Sequence, residues 1–218
     1  MRKAMCWMLA LCVMGFAAPA LAAAPVIGLC IYNMDTFVTS LVDVIMGMAE
    51  GKADMRVFNA LNNQNQQNRQ VEELLDQGVD ALIVNPVDRT AALYQLRMAL
   101  KYQTPIVFIN REPLPEDLAQ YDLAYYVGID PKEQGYLGGT LAADCFLSDP
   151  QTDLNGDGVM QTVLFKGEPG HQDAELRTQY ALKALQEAGV EVELLSVEVA
   201  LWERTLGQER MAALLGVF

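Results

Sequence analysis

ALIVNPVDRTAALYQLRMALKYQTPIVFI, Ala81 to Ile109, sets two short apolar runs, ALIV (81–84) and PIVFI (105–109), on either side of a helical stretch from about Thr90 to Lys101. Strands that are apolar on both faces and separated by amphipathic helices pair in parallel and are covered on both sides. The same rhythm extends outward. VIGLCIY (26–32) is an apolar run, after which Val38, Leu41, Val42, Ile45, Met48 and Ala49 fall at helical spacing. MRVFN (55–59) leads through the polar run NNQNQQNRQ into a helix carrying Val71, Leu74 and Leu75 that stops at Gly78. This is a doubly wound α/β block.

A second block repeats the pattern, with YYVG (125–128), a helix near Lys132 to Phe146, TVLFK (162–166), a helix near Asp173 to Ala188, VELLSVEV (192–199) and a final helix. VGIDPKEQG between the blocks places a crossover at Asp130-Pro131. The expected organisation is a first lobe over 23–130 and a second over 131–218. With about two inner strands the second lobe is expected to be incomplete.

The opening MRKAMCWMLALCVMGFAAPALA combines Arg2 and Lys3, an apolar run broken by Pro19, and the small-residue pattern Ala20-Leu21-Ala22. It is read as a secretory signal peptide over 1–22, cleaved after Ala22. Leu29 stands before Cys30 where a lipid-anchor signal needs a small residue. Of the chain's 15 basic residues two leave with this leader, so 13 face 28 acidic ones, a balance of −15. Such a surface repels phosphate backbones, so nucleic acid is not an expected partner. Cys30 and Cys145, the cysteines outside the leader, are read as separate buried thiols.

In open α/β sheets ligands bind beyond the carboxyl ends of strands. Those positions hold Asp35 and Phe37 after the first strand, Asn110 and Arg111 after PIVFI, His171, Asp173 and Arg177 in the turn GEPGHQDAELR, and Trp202 after VELLSVEV. Planar amide, carboxylate and guanidinium groups pair with vicinal hydroxyls, and aromatic faces cover the C–H faces of a sugar ring. An enzyme has fewer parts to work with. His171 is the single histidine, no serine sits in a nucleophile elbow, and no phosphate-binding glycine loop follows the first strand.

At these residues the sequence resembles the periplasmic glucose/galactose-binding proteins, of the ribose-binding type of bacterial solute-binding proteins. The likeness runs from VIGLCIYNMDTF through NPVDRTAA, IVFINREP, YYVGID, DLNGDGVMQ and LFKGEPGHQDAELRT to the ALW at Ala200. It implies a periplasmic, monomeric, non-catalytic binder of type I architecture, whose two lobes close on a hexose. Its partners would be the membrane subunits of an ABC transporter and, in some members, a chemoreceptor. The family's sugar contacts fall on Asp35, Asn110, His171, Asp173 and Arg177, with Phe37 and Trp202 as stacking faces; Arg111 has no place in that pattern. Other readings are a sugar-responsive repressor, against which the leader and the lack of a basic helix-turn-helix speak, a secreted carbohydrate-active enzyme, and a truncated product with lost or weak sugar binding.

DLNGDGVMQ (153–161) starts like an EF-hand calcium loop. Asp153, Asn155, Asp157, the Val159 carbonyl and Gln161 match ligand positions 1, 3, 5, 7 and 9, and Gly158 matches the turn, but position 12 is Leu164 where a bidentate Glu belongs. The resemblance implies a closing Glu from a distant strand, at a point past Phe218. Five Ca2+-ligating positions are therefore expected here, and weak affinity.

Overall fold

The computed structural model describes residues 23–217; the expected signal peptide lies outside the described residues. Five strands form the first sheet: β1 (Val26–Ile31), β2 (Asp54–Asn59), β3 (Ala81–Val84), β4 (Ile106–Ile109) and β5 (Ala124–Val127). Their order is β2-β1-β3-β4-β5 and every pairing is parallel. The connecting helices are α1 (Thr36–Ala49), α2 (Gln64–Asp76), α3 (Ala92–Tyr102) and the single turn α4 (Pro115–Leu118). Successive side chains of a strand point to opposite faces, and β1 shows this directly. Cys30 joins Val71, Leu74, Leu96 and Phe108 on the α2/α3 side, while Leu29 and Ile31 join Val38, Val42 and Ile109 on the α1 side. The inner strands of the sheet are thus covered on both faces, as their apolar runs require, while the edge strands β2 and β5 keep exposed positions such as Val57 and Val127.

The polar run NNQNQQNRQ forms the cap and first turns of α2 and has a structural use. Asn63 caps α2 by accepting from the Gln66 N–H at 3.0 Å. The amides of Gln66 and Gln70 donate to the Asn59 carbonyl, and fully buried Gln67 donates to the Asn85 carbonyl at 2.8 Å while accepting from the Val87 N–H at 2.9 Å. Buried loop backbone must find partners, and these glutamines supply them behind the ends of β2 and β3.

The second lobe consists of α5 (Pro131–Ser148), β6 (Val159–Lys166), α6 (Gln172–Glu187), β7 (Glu191–Val199) and α7 (Arg204–Leu214). Among the described residues its sheet has two strands, β6 and β7, parallel with one register shift after Thr162. The helix α5 buries small residues, Gly135, Gly139 and Ala143, one turn apart. This stripe lets α6 come very close: a Cβ on Gly139 would lie 2.3 Å from the Ala181 carbonyl oxygen. Leu137 and Leu141 on α5, and Phe165, Leu194 and Val197 on the sheet, stay exposed.

Two expectations need correction. Cys145 is exposed rather than buried, because the face of α5 turned toward α6 is the glycine and alanine stripe, which leaves position 145 outside it. Strand β6 starts at Val159 and not at Thr162, because Val159 already pairs with Glu191 of β7; the last third of the DLNGDGVMQ stretch is therefore strand. Cys30 is buried as expected, and burial pushes its thiol up to about 12.

Candidate functional site

The carboxyl ends of both sheets face one cavity of about 740 Å3, within the range of small-molecule sites. Phe37 and Asn110 reach it from the first lobe, and His171, Asp173, Arg177 and Trp202 from the second, together with Tyr32 and Gln134. Six of the seven strand-end residues predicted for a sugar are therefore gathered at one place. Asp35 lies behind it: buried, it caps α1 by accepting from the Val38 N–H at 2.8 Å and accepts the Tyr32 hydroxyl proton.

The second-lobe wall is tightly organised. His171 caps α6, its Nδ1 accepting from the Asp173 N–H at 3.2 Å. Burial, helped by the positive charges of Arg111 and Arg177, lowers its pKa to about 4. The ring is therefore neutral at neutral pH with its proton on Nε2, a donor for the cleft. Asp173 is also buried, which raises its carboxyl above the usual range, opposed by Arg177 at 3.1 Å. Arg177 Nε donates to Gln134 at 2.7 Å, so the guanidinium is held on two sides with part of its fork left for a ligand.

Trp202 meets His171 edge-on, with ring centroids 5.3 Å apart at 74°, and Arg177 lies 6.0 Å from its centroid. Its backbone is left-handed, φ 65°, as is that of Asn110 on the opposite side, φ 64°. Asn110 is secured through its N–H to the Val127 carbonyl at 3.2 Å and through its own carbonyl, which accepts from the Tyr126 hydroxyl at 3.1 Å. Phe37 is 53 % exposed, an aromatic face held open at the first turn of α1.

Gln134 and Tyr32 escaped the sequence reading, as did Asn85 behind Asn110, whose Oδ1 lies 3.5 Å from the Asn110 amide nitrogen. The signal for two of them was present. Asn85 follows ALIV directly, and Gln134 stands in the first turn of the helix after the YYVG strand.

The loop at Asp153 to Gln161 closes on itself. The two oxygens of Asp153 accept from the N–H groups of Gly156 at 2.9 Å and Gly158 at 2.8 Å; Asp157 accepts from the Val159 N–H at 2.8 Å and from the Gln161 amide at 3.1 Å. The Val159 N–H bond holds Asp157 below the usual carboxylate range. All the side-chain donors are hard oxygens, which suits Ca2+ in kind. With Asp153 and Asp157 as its only carboxylates the loop falls short in number, and among the described residues no three His, Cys, Asp or Glu side chains cluster as a metal group.

The sequence profile of the periplasmic binding protein domain matches residues 27–217. The chain belongs to this family. It is 38 % identical over 203 residues to the D-galactose/methyl-galactoside binding periplasmic protein MglB of Haemophilus influenzae, a match covering 92 % of this chain and 61 % of that protein. Among solved structures it resembles a solute-binding protein of Bacillus halodurans with bound myo-inositol, at a TM-score of 0.68 and 28 % identity over 88 % of this chain and 63 % of that one. It shares the fold of an Actinobacillus succinogenes periplasmic solute-binding protein with bound D-allose, at a TM-score of 0.71 and 23 % identity over 88 % and 65 % of the two chains. The fold is that of a type I periplasmic binding protein. The chain spans about three fifths of the length of the curated relative.

Proposed function

We propose that this chain binds a neutral hexose, galactose or glucose, in the periplasm, without chemical change, between its two lobes, for delivery to the membrane subunits of an ABC transporter. The observation that carries the reading is the convergence of Asn110 and Phe37 from one sheet with His171, Asp173, Arg177 and Trp202 from the other on a single cavity. The roles divide by chemistry. Asp173 accepts hydroxyl protons, Nε2 of His171 and the free part of the Arg177 fork donate, and the Asn110 amide does both. Trp202 and Phe37 take the two C–H faces of the ring. Asp35, with one donor on each oxygen, has lone pairs left to accept a sugar hydroxyl while it keeps the Tyr32 bond.

The likeness to the D-galactose/methyl-galactoside binding protein of Haemophilus influenzae supports galactose, and the family supports the periplasm and the transporter. A chemoreceptor contact and a monomeric state are part of the same reading. We further propose that Asp153, Asn155, Asp157, Val159 and Gln161 hold Ca2+ weakly.

Isothermal calorimetry with galactose, glucose and a non-sugar polyol tests the ligand. Saturable heat with galactose or glucose, lost in Asp173→Asn, is the expected result. Heat with neither sugar at millimolar concentration overturns the hexose reading, and product formed from a simple glycoside overturns the non-catalytic one.

A further inference from the structure

Arg111, the strand-end residue left outside the sugar pattern, is held in the first lobe by two contacts. Its residue is 9 % exposed, its guanidinium carbon stands 3.9 Å from the centroid of the Tyr32 ring, and one terminal nitrogen donates to the Val87 carbonyl. The other terminal nitrogen leaves the lobe and donates to Glu168 Oε2 at 3.1 Å. Glu168 lies in the turn between β6 and α6, and its side chain is half exposed. Among the described residues this is the one ion pair that joins the lobes; the others, Lys166–Glu175, Arg177–Asp173, Lys183–Glu187 and Arg210–Glu198, lie within the second.

The two partners are unequal. The cation is already desolvated and oriented in its own lobe, with Nε buried and unbonded, whereas the carboxylate is presented on a surface turn. A buried guanidinium gains more from an arriving carboxylate than an exposed pair does. Behind it, Tyr32 lines the cavity and donates its hydroxyl to Asp35.

We propose that Arg111 and Glu168 form a latch between the lobes, with Tyr32 as the seat of the guanidinium, so that closing the cleft and holding Tyr32 against Asp35 are one event. Arg111 and Glu168 are positioning residues: neither lines the cavity. The consequence for a bound sugar rests on the hexose reading above; the latch itself does not.

The test is a double-mutant cycle of Glu168→Gln, Arg111→Met and both together, with two readouts. Spin labels on the exposed native Cys145 and on a cysteine at exposed Met48 (M48C) report lobe separation without sugar; buried Cys30 stays unlabelled. Each single variant is expected to lengthen or broaden the distance distribution and the double variant to add nothing further. Raised salt should move wild type the same way and leave the double variant unmoved. Galactose dissociation, followed by Trp202 fluorescence, should speed up on the order of tenfold with association little changed. Glu168→Gln is the fold-safe arm, since its side chain is half exposed. Unchanged distances in it, or effects of the two changes that simply add, overturn the latch. A distance effect with no fluorescence response to sugar keeps the latch and rejects the hexose reading.

Discussion

Gly167 and Trp202 are in contact where no other residue fits: a Cβ on Gly167 would stand 2.1 Å from Cζ2 of the indole. The glycine follows the last residue of β6, Lys166, at the point where the ring crosses the chain. Gly167→Ala should push the indole out of the cleft wall. Overpacking costs about 1–3 kcal/mol, so a loss of hexose affinity of roughly 5- to 150-fold is expected with secondary structure intact. Calorimetry against circular dichroism checks this, and unchanged binding would show that the ring moves freely.

His171 gives the stability a defined pH response. Its pKa in the folded chain, about 4, lies below its ordinary value of 6.5. A depressed histidine favours the neutral folded form, so its contribution is present above about pH 6.5 and is lost as pH falls toward about 4. Asp173 works in the other direction: its burial makes the charged carboxylate unfavourable, and acidification relieves that. Urea midpoints between pH 7 and 4 should therefore fall more steeply in wild type than in His171→Asn, which keeps a helix cap. Parallel curves would mean that His171 is not held neutral.

Gln67→Leu should destabilise the first lobe. It strips the Val87 N–H, the Asn85 carbonyl and the Gln95 amide of a partner in a fully buried place. Each stranded group costs about 1–3 kcal/mol, so the loss should exceed that of Gln64→Leu nearer the surface. Equal urea midpoints for the two variants would argue that water replaces the amide.

Calcium should bind the 153–161 loop only weakly, with a Kd of about 10⁻⁴ to 10⁻³ M as in sites of low charge count. Calorimetric titration checks it, with Asp157→Asn as the control that removes one of two carboxylates. Submicromolar binding would overturn the five-position assignment.

The fold was largely legible because the inner strands β3 and β4 are compact apolar runs closed by a polar residue, ALIV by Asn85 and IVFI by Asn110. The ligand side followed from the rule that strands end at the site, which also placed Trp202 without knowledge of its contacts. Arg111 shows the limit. Its position was visible, but its partner Glu168 stands 57 residues away, and sequence spacing does not state which turns of two lobes meet. Likewise Cys145 reads as an apolar helix position until the glycine stripe of α5 reveals which face is inside. Asp35 was placed at the cleft, and its second task, receiving the Tyr32 hydroxyl, depends on a side-chain direction that periodicity leaves open.

Asn110 and Trp202 both hold left-handed backbone on opposite walls of the cleft. Asparagine accepts that conformation readily and tryptophan does so at some expense, so the two positions differ in how freely they can change. A lineage altering its ligand could vary Gln134, Phe37 or Asp173, whose helical backbone suits many side chains. At 110 the easy moves are few, Gly or Asp, and at 202 most replacements would inherit the same backbone cost without the ring that offsets it. The geometry thus confines evolutionary drift in preference to the helix-borne residues, leaving one amide and one indole as the fixed frame around which other ligands would have to be fitted.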